Sequence, residues 1–177
     1  MKAHPETNWI ALTAKTDDGE FVAYYSVTGL AAVNFPPPRP GIHVTTLRSC
    51  PQTVRRWHRM TVAALKRALA GRKPRLLPPL DLSGGTAFQQ RVWQGLLQIP
   101  QGKTSSYGEL AAAIRSPKAN RAVGNACGAN PVPVLVPCHR VLAAGRKLGG
   151  FSSGLKWKRV LLWREGARDL WARETLG

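Results

Sequence analysis

The segment VPVLVPCHRVL, residues 132–142, places a cysteine, a histidine and an arginine side by side after an apolar run. A nucleophilic cysteine must be a thiolate, so it needs a base or a positive charge nearby. His139 follows Cys138 directly, but neighbouring side chains of an extended segment point in opposite directions. A bend at Pro137-Cys138 or a bridging water would bring the imidazole within reach. The pattern alone leaves three interpretations of Cys138 open: a nucleophile, a metal ligand and an inert core thiol.

A histidine base also needs a third group that orients its ring. The chain has only nine Asp and Glu residues, and Glu165 is a good candidate because it ends the last predicted helix. A papain-like Cys-His protease is the obvious rival. Such enzymes keep the two residues far apart in sequence, and their local cysteine signatures are missing here.

The cysteine spacing favours neither disulfides nor a metal site. The three cysteines, Cys50, Cys127 and Cys138, are odd in number and widely spaced. The sequence has no CxxC and no zinc-finger spacing. The histidines of the first third are scattered in the same way: His4, His43 and His58. We therefore predict no metal and no cofactor.

The charge of the chain is its most unusual bulk property. Lys and Arg number 26 against nine acidic residues, a formal net charge of +17. Such a field favours polyanions, of which nucleic acid is the commonest inside cells, although a basic proteome background would give the same count. The beginning of the sequence has no signal-peptide pattern and no apolar run is long enough for a membrane span. We expect a cytoplasmic protein, nucleoid-associated if it is prokaryotic.

The first third has the pattern of strands followed by a helix. Short β-friendly runs cover 8–15, 20–29 and 30–35, and an amphipathic helix is predicted over 53–71. The basic residues of that helix could face DNA, but a solvated face is the preferred interpretation. The Pro- and Gly-rich segment 71–85 is the best candidate for a linker. The 177 residues would then form two small domains, 1–80 and 81–177.

The remainder has the pattern of helices. Thr86 and Gln89 form a capping-box pattern at the start of one helix, and Ser105 or Ser106 caps a second. A third helix is predicted over 117–130 and is full of small residues, so its backbone can approach a partner closely. The second and third helices resemble a helix-turn-helix, with a short core helix as the alternative.

Three elements complete the predicted organisation. The run 132–137 is predicted as a buried strand or extended segment, and the Gly-rich segment 143–154 as a hairpin or wing. A final helix covers 155–166, with Trp157, Val160, Leu161 and Arg164 on one side.

Several of these motifs together resemble one known family. The segments PCHRV (137–141), RAVGNACGANPVP (121–133), GGFSSG (149–154), LLWREG (161–166) and GTAFQQRVWQGLLQIPQGKTSSYGELA (85–111) are similar to the O6-alkylguanine-DNA alkyltransferases, also called methylated-DNA–protein-cysteine methyltransferases. The match covers 85–166 in order. Over 1–80 only the layout of strands then helix agrees. The resemblance implies an α+β fold: a small RNase-H-like N-terminal α/β domain (1–80) and a helical, winged-helix-like C-terminal domain (81–177) containing the helix-turn-helix.

The resemblance also implies a chemistry. Members repair alkylated guanine in DNA by SN2 transfer of the alkyl group to a cysteine, here Cys138, and each molecule acts once. His139 would take the thiol proton through a water, with Glu165 holding the ring. Asn130 would tie the helix-turn-helix to the site. Tyr107 would donate a hydrogen bond to the departing guanine and crowd the 3′ phosphate. Transfer from alkylthymine is left open.

For DNA, the resemblance implies a flipped base and a helix in the minor groove. Arg121 would fill the gap in the base stack. The small residues Ala122, Ala126 and Ala129 would suit a narrow groove. The pocket would comprise backbone donors at Val141 and Ser152, walls at Pro133 and Phe151, and a lip at Gly149 and Gly150. Phe151 stands where many members have tyrosine, so a hydroxyl contact to the base is lost.

The implied partner is double-stranded DNA containing alkylated guanine, bound by a monomer, without a membrane; cooperative binding along DNA is left open. A second hypothesis is a winged-helix protein that binds DNA or flags lesions, with Cys138 inert. A related branch has tryptophan in place of the cysteine and only binds lesions, and Cys138 argues against membership of that branch.

Overall fold

The first part of the chain forms a three-stranded antiparallel sheet and a long helix. The structure is a computed structural model, and it describes residues 9–38 and 40–167. The strands are β1 (Ile10–Thr16), β2 (Gly19–Tyr25) and β3 (Leu30–Asn34), paired in the order β1-β2-β3. The Thr16–Gly19 turn joins the first two strands, and the Thr16 hydroxyl donates to the Gly19 carbonyl at 2.8 Å. The predicted strand positions are confirmed to within two residues, except at the end of the second, where β2 stops four residues earlier, at Tyr25.

Helix α1 (Gln52–Leu69) packs against this sheet along one face. Its buried residues follow helical spacing: Val54, His58, Thr61, Ala64, Leu65, Ala68 and Leu69. The Tyr25 hydroxyl and His58 Nδ1 lie 3.0 Å apart and join sheet to helix. Arg56, Arg59 and Lys66 are exposed, as both the solvated-face and the DNA-facing interpretations require.

The second part contains four helices among the described residues, and it carries most of the sequence motifs. They are α2 (Ala87–Leu97), α3 (Tyr107–Ala113), α4 (Asn120–Gly128) and α5 (Leu155–Arg164). Both predicted N-caps are present: the Thr86 and Ser106 side chains each form a capping box with the residue three positions later. The buried Trp93 donates from Nε1 to the Ala126 carbonyl at 2.9 Å, which fixes α4 on α2.

The third predicted helix begins later than expected. We predicted a start at Pro117, but α4 begins at Asn120, and Pro117 and Lys118 form a turn after α3. The turn is closed by a hydrogen bond from the Ala119 N–H to the Ser116 carbonyl at 2.9 Å.

Segment 132–136 is buried as predicted, but the expectation of a strand is wrong. Pro133 and Val136 form an isolated bridge around a tight turn, and Val134 adopts a φ of 74°. Proline has no N–H to give to a strand ladder, and Pro131, Pro133 and Pro137 interrupt this run. The turn brings the following residues back toward α4.

The Gly-rich segment after it is not a hairpin. The two-residue strand β5 (Val141–Leu142) pairs in parallel with β4 (Ser105–Ser106), directly before α3. A short 3₁₀ turn at Ala144–Arg146 follows, and the Ala143 N–H donates to the Lys147 carbonyl at 2.8 Å. This pairing places the start of α3 beside the segment that follows Cys138.

The predicted linker 71–85 lies along the sheet. The Leu30 N–H donates to the Pro79 carbonyl at 2.8 Å and the Asp81 N–H to the Leu30 carbonyl at 2.9 Å. Buried side chains of both parts form one continuous hydrophobic cluster. Within the described ranges, no helix is both long and apolar enough to cross a membrane. The architecture is a mixed α/β fold.

The two parts approach each other closely at Gly71. A Cβ at this position would lie 2.0 Å from the carbonyl oxygen of Arg164, and Gly71 has a φ of +66°. We therefore expect Gly71→Ala to lower the free energy of unfolding by about 3 kcal/mol, from a left-handed backbone and a steric overlap together. Urea denaturation measures the difference.

Gly84→Ala is the matched control, because nothing lies within 4 Å of its Cβ position. Its stability should stay within about 0.5 kcal/mol of the wild type. A Gly71→Ala protein as stable as Gly84→Ala would contradict the close approach.

Candidate active site

Cys138 lies at the start of a 3₁₀ turn, Cys138–Arg140, that follows a bend at Pro137. Its side chain is buried, 5% exposed. Asn130 Nδ2 donates to Sγ at 3.1 Å and to the Val136 carbonyl at 2.7 Å, while its Oδ1 accepts from the Val132 N–H at 3.0 Å. A donor aimed at sulfur favours the thiolate over the thiol. The structure thus brings Asn130 to Cys138, and the turn replaces the extended geometry that would have separated Cys138 from His139.

His139 and Glu165 form a buried pair. His139 Nε2 lies 3.0 Å from Glu165 Oε1, and their side chains are 1% and 3% exposed. Arg140 grips the same carboxylate with Nε at 3.0 Å and Nη2 at 2.8 Å, and its Nη1 donates to the Ile99 carbonyl at 2.6 Å. A buried carboxylate that keeps its charge needs this kind of bidentate partner.

The protonation states of this pair follow from their surroundings. Burial alone would raise the pKa of Glu165, but the hydrogen bonds from His139 and Arg140 outweigh it and lower the pKa to about 2. The ionised carboxylate accepts only, so His139 Nε2 must carry the proton. Burial lowers the pKa of His139, against the opposing effect of Glu165, so the ring is neutral.

A neutral ring protonated at Nε2 has its lone pair at Nδ1. Among the residues that the structure describes, His139 Nδ1 is the one buried side-chain nitrogen or oxygen without a hydrogen-bond partner. The arrangement therefore holds a base at Nδ1, in the residue directly after Cys138.

Lys158 is a site residue that the sequence reasoning missed. It is 0% exposed, and Nζ donates to the carbonyls of Val141 at 2.7 Å, Gly150 at 3.3 Å and Leu148. Burial lowers its pKa to about 8, and the nearby Cys138 and Cys127 oppose that shift. The ammonium fixes the segment after Cys138 and adds positive charge near its thiol.

The buried positions of α5 differ from the set that the sequence analysis placed on one side of the helix. Trp157, Val160, Leu161 and Arg164 do share one side, but the buried residues are Lys158, Leu161 and Leu162, followed by the Glu165 side chain. These positions are i, i+3, i+4 and i+7, so helical spacing was the available signal. Lysine is seldom fully buried, which made Lys158 look like a surface residue.

Tyr107 begins α3 and is half-buried near the same thiols. A Cβ on Gly149, which has a φ of +65°, would lie 3.2 Å from the Tyr107 hydroxyl. Burial raises the pKa of Tyr107, and the charges of Cys127 and Cys138 act in the same direction. The hydroxyl therefore keeps its proton and is available as a donor.

Helix α4 presents a small-residue face to solvent. Arg121 and Ala122 are exposed and Ala129 is partly exposed. Ala126 is 2% exposed and packs in the core, on the side of α4 that faces α2. Asn125, four residues after Arg121, is exposed on the same face as Arg121.

A groove of about 750 Å³ adjoins this face. It is lined by residues 104–109 and 142–146 with Asn120 and Arg121, and thus joins Tyr107 to Arg121. Cys138 is not part of its lining.

The predicted base-pocket residues are not part of the groove lining, and their exposure differs. Pro133 and Val141 are buried, Gly149 and Phe151 are partly exposed, and Gly150 and Ser152 are exposed. The Phe151 ring also packs edge-on against Phe35 of the first part, with centroids 6.0 Å apart.

No group of three His, Cys, Asp or Glu side chains in the described ranges is placed to bind a metal ion. His4 and residues 168–177 of the predicted second domain lie outside those ranges.

The low pKa of Glu165 predicts a specific dependence of stability on pH. Its folded pKa, about 2, lies below its ordinary value of 4.5. The stabilisation is therefore complete above pH 4.5 and is lost as pH falls toward 2. We expect the loss in free energy of unfolding over this window to be about 2 kcal/mol smaller in Glu165→Gln than in the wild type. Urea denaturation at a series of pH values measures it.

Glu20→Gln removes an exposed carboxylate, 51% exposed, and serves as the control. It should lose stability with acid as the wild type does. An equally steep acid loss in Glu165→Gln would show that this carboxylate is not the group responsible.

Comparison with known proteins adds independent information. The model of one family, "6-O-methylguanine DNA methyltransferase, DNA binding domain", matches residues 87–167. The methylated-DNA–protein-cysteine methyltransferase of Haemophilus influenzae is 56% identical over 78 residues, which are 44% of this chain and 44% of the relative. That of Mycobacterium tuberculosis is 56% identical over 89 residues, which are 50% of this chain and 53% of the relative. The chain thus aligns with about half the length of these curated relatives.

The whole fold is also similar to a solved structure. The crystal structure of Mycobacterium tuberculosis OGT in complex with DNA matches with a TM-score of 0.73 and 38% identity, over 89% of this chain and 93% of that chain. This likeness extends over both parts of the molecule, whereas the family model matches only the second. The chain belongs to the 6-O-methylguanine DNA methyltransferase family.

Proposed function

We propose that the protein repairs DNA by transferring an alkyl group from the O6 atom of guanine to Cys138, irreversibly and once per molecule. The observation that carries this is the buried Cys138–His139–Glu165 arrangement, in which a neutral imidazole with an available Nδ1 follows a thiol that already accepts a hydrogen bond. The names of its relatives, methylated-DNA–protein-cysteine methyltransferases, support the same chemistry.

The proposed reaction uses four side chains. His139 Nδ1 takes the Cys138 proton through a water, while Glu165 holds the ring and stabilises the imidazolium. The thiolate attacks the alkyl carbon, an S–C bond forms, and the C–O bond breaks with its electron pair going to guanine. The Tyr107 hydroxyl donates a hydrogen bond to the departing guanine. A thioether is a very poor leaving group, so the acceptor is consumed.

Duplex DNA hides the O6 atom from a buried thiol, so we propose that the nucleotide is flipped out of the helix. Arg121 is exposed in the first turn of α4 and is the candidate to fill the gap in the stack. The exposed α4 residues Ala122, Asn125 and Gly128 are small enough for a close approach to the minor groove. The net charge of +17 favours binding to phosphates.

We further propose that the flipped base is held by Pro133, Val141, Gly149, Phe151 and Ser152. A Cβ on Gly149 would lie 3.2 Å from the Tyr107 hydroxyl, so this segment runs beside Tyr107, which supports placing the base there. In the same proposal the two parts are an RNase-H-like domain (1–80) and a winged-helix-like domain (81–177), although one shared core joins them. The partner is duplex DNA with alkylated guanine, bound by a monomer in the cytoplasm.

The first prediction from this function concerns the acceptor. After mixing with a duplex that carries one O6-methylguanine, intact mass should rise by one CH₂ unit, and peptide mapping should place it on the Cys138 peptide. Cys138→Ser should gain nothing. Cys127→Ser is the matched control, because Cys127 is also buried beside this site, with a pKa that burial raises to about 12. It should transfer normally. Tight lesion binding with no mass gain would favour the lesion-binding hypothesis.

The second prediction concerns Arg121. Arg121→Ala should slow transfer from duplex DNA by about tenfold or more, since unstacking a base costs a few kcal/mol, but should leave transfer from free O6-methylguanine base unchanged. Rapid-quench kinetics at saturating DNA measures both. Lys118→Ala removes one exposed charge from the preceding turn and should change only the affinity. Equal slowing of both substrates by Arg121→Ala would contradict the role.

A further inference from the structure

The last turn of α5 is attached to the first part of the chain by one side chain. Arg164 Nη1 lies 2.8 Å from Asp18 Oδ2 and Nη2 lies 2.9 Å from Oδ1, a bidentate pair. The same Nη1 donates to the Leu69 carbonyl at 2.8 Å, at the end of α1. Asp18 belongs to the β1–β2 turn, and Leu69 ends α1. The contact therefore joins the final residue of α5 to two elements of the first part of the chain, the sheet of β1 to β3 with α1, which we call the sheet-and-helix part.

Glu165 follows Arg164 directly and is the residue that holds His139. The backbone around it is confined on both sides. Gly71 lies against the Arg164 carbonyl, and a Cβ on Gly102 would lie 3.0 Å from the Glu165 carbonyl. Gln101, next to Gly102, donates a hydrogen bond to the Gly71 carbonyl and so links these two neighbouring segments. The position of the Glu165 carboxylate therefore depends on where the first part holds the end of α5.

The first part also reaches the other side of the site. The Val33 N–H of β3 donates to the Pro131 carbonyl at 2.9 Å, next to Asn130, which contacts Cys138. Asn130 contacts the thiol and Glu165 contacts its base. Each of them is adjacent in sequence to a residue, Pro131 or Arg164, that is hydrogen-bonded to the sheet-and-helix part.

We propose that the sheet-and-helix part positions the transfer site, and that Asp18, acting through Arg164, is a positioning residue for Glu165. The proposal rests on the function proposed above and assigns a role to the part of the chain outside the matched family model.

The exposure of the Asp18–Arg164 pair indicates a positioning role rather than a large contribution to stability. The Arg164 and Asp18 side chains are 35% and 19% exposed, and ion pairs at such exposure contribute little to stability. The end of a helix frays unless it is held, and Glu165 is the capping residue at that end. A displacement on the order of 1 Å at a group that orients a base can slow a reaction greatly. The ion pair thus matters for geometry more than for folding.

The test compares two neighbouring aspartates of one turn in the full-length chain. Asp18→Asn removes the charge that holds Arg164, whereas Asp17→Asn changes an exposed side chain of the same turn. Single-turnover transfer from a duplex with one O6-methylguanine, at saturating DNA, gives an amplitude and a rate. We expect Asp18→Asn to keep the full amplitude and to be about tenfold slower, the loss typical when a group that orients a site residue is removed. Asp17→Asn should match the wild type.

A second readout is independent of DNA. The rate at which iodoacetamide alkylates Cys138, followed by peptide mapping over a range of pH, reports when the thiol loses its proton. A displaced Glu165 supports the imidazolium less well, so His139 becomes a weaker base and the rising limb of the profile moves to higher pH. Loss of stability alone would reduce the amplitude and leave this profile unchanged.

Arg164→Gln and the double variant complete the design. Arg164→Gln also loses the bond to the Leu69 carbonyl, so it should be at least as slow as Asp18→Asn. Because Asp18 acts only through Arg164, the double variant should be no slower than Arg164→Gln alone. Wild-type rate and pH profile in Asp18→Asn, or a loss of amplitude only, would overturn the positioning role. If the wild type itself transfers no methyl group, the proposed function fails, and the iodoacetamide profile still decides whether Asp18 acts on the site.

Discussion

The arrangement of the site depends on one buried carboxylate. Glu165 is ionised in the interior, and a buried charge is costly unless partners compensate it. Each neighbouring element supplies part of the compensation. The 3₁₀ turn after Pro137 brings His139 and Arg140 to the two carboxylate oxygens, and the Ile99 carbonyl, just after α2, accepts the remaining guanidinium hydrogen bond. Helix α5 holds the carboxylate at its C-terminal end, where the sheet-and-helix part contacts it. Moving the 3₁₀ turn or the end of α5 would separate the buried carboxylate from its partners.

The protonation state of His139 follows from that carboxylate. An ionised Glu165 assigns the His139 proton to Nε2, and burial keeps the ring neutral, so Nδ1 is a base. Two turns of α5 separate Glu165 from Lys158, which holds the carbonyls of Val141, Leu148 and Gly150. One side of this helix thus holds two successive segments after Cys138. The Glu165 carboxylate binds His139 and Arg140, and the Lys158 ammonium binds the segment that follows them. A methyl group added to a thiol so enclosed has little free space, and overpacking of this kind destabilises a fold.

Local patterns made much of this predictable from the sequence. The capping boxes at Thr86 and Ser106 depend on residues three positions apart. The adjacent Cys138 and His139 and the few carboxylates of the chain pointed to His139 and Glu165, which form a hydrogen-bonded pair, whereas Asn130 was singled out by the family resemblance alone. The misses have physical causes. Lys158 is buried against the usual preference of its residue type, and Pro133 and Pro137 interrupt the predicted strand or extended segment, which forms a tight turn instead. The Asp18–Arg164 pair joins residues 146 positions apart, which no local pattern could predict.

The central claim is that a neutral, Nε2-protonated His139 acts as the base beside Cys138. Nitrogen NMR of the imidazole side chains, assigned with a His139→Gln variant and followed from pH 5 to pH 8, tests it most directly. The account predicts a protonated Nε2 and an unprotonated Nδ1 throughout the neutral range, with any titration below the ordinary value of 6.5. A His139 ring that carries its proton on Nδ1, or one that is doubly protonated at pH 7, would contradict it, because Nδ1 would then have no lone pair to accept a proton.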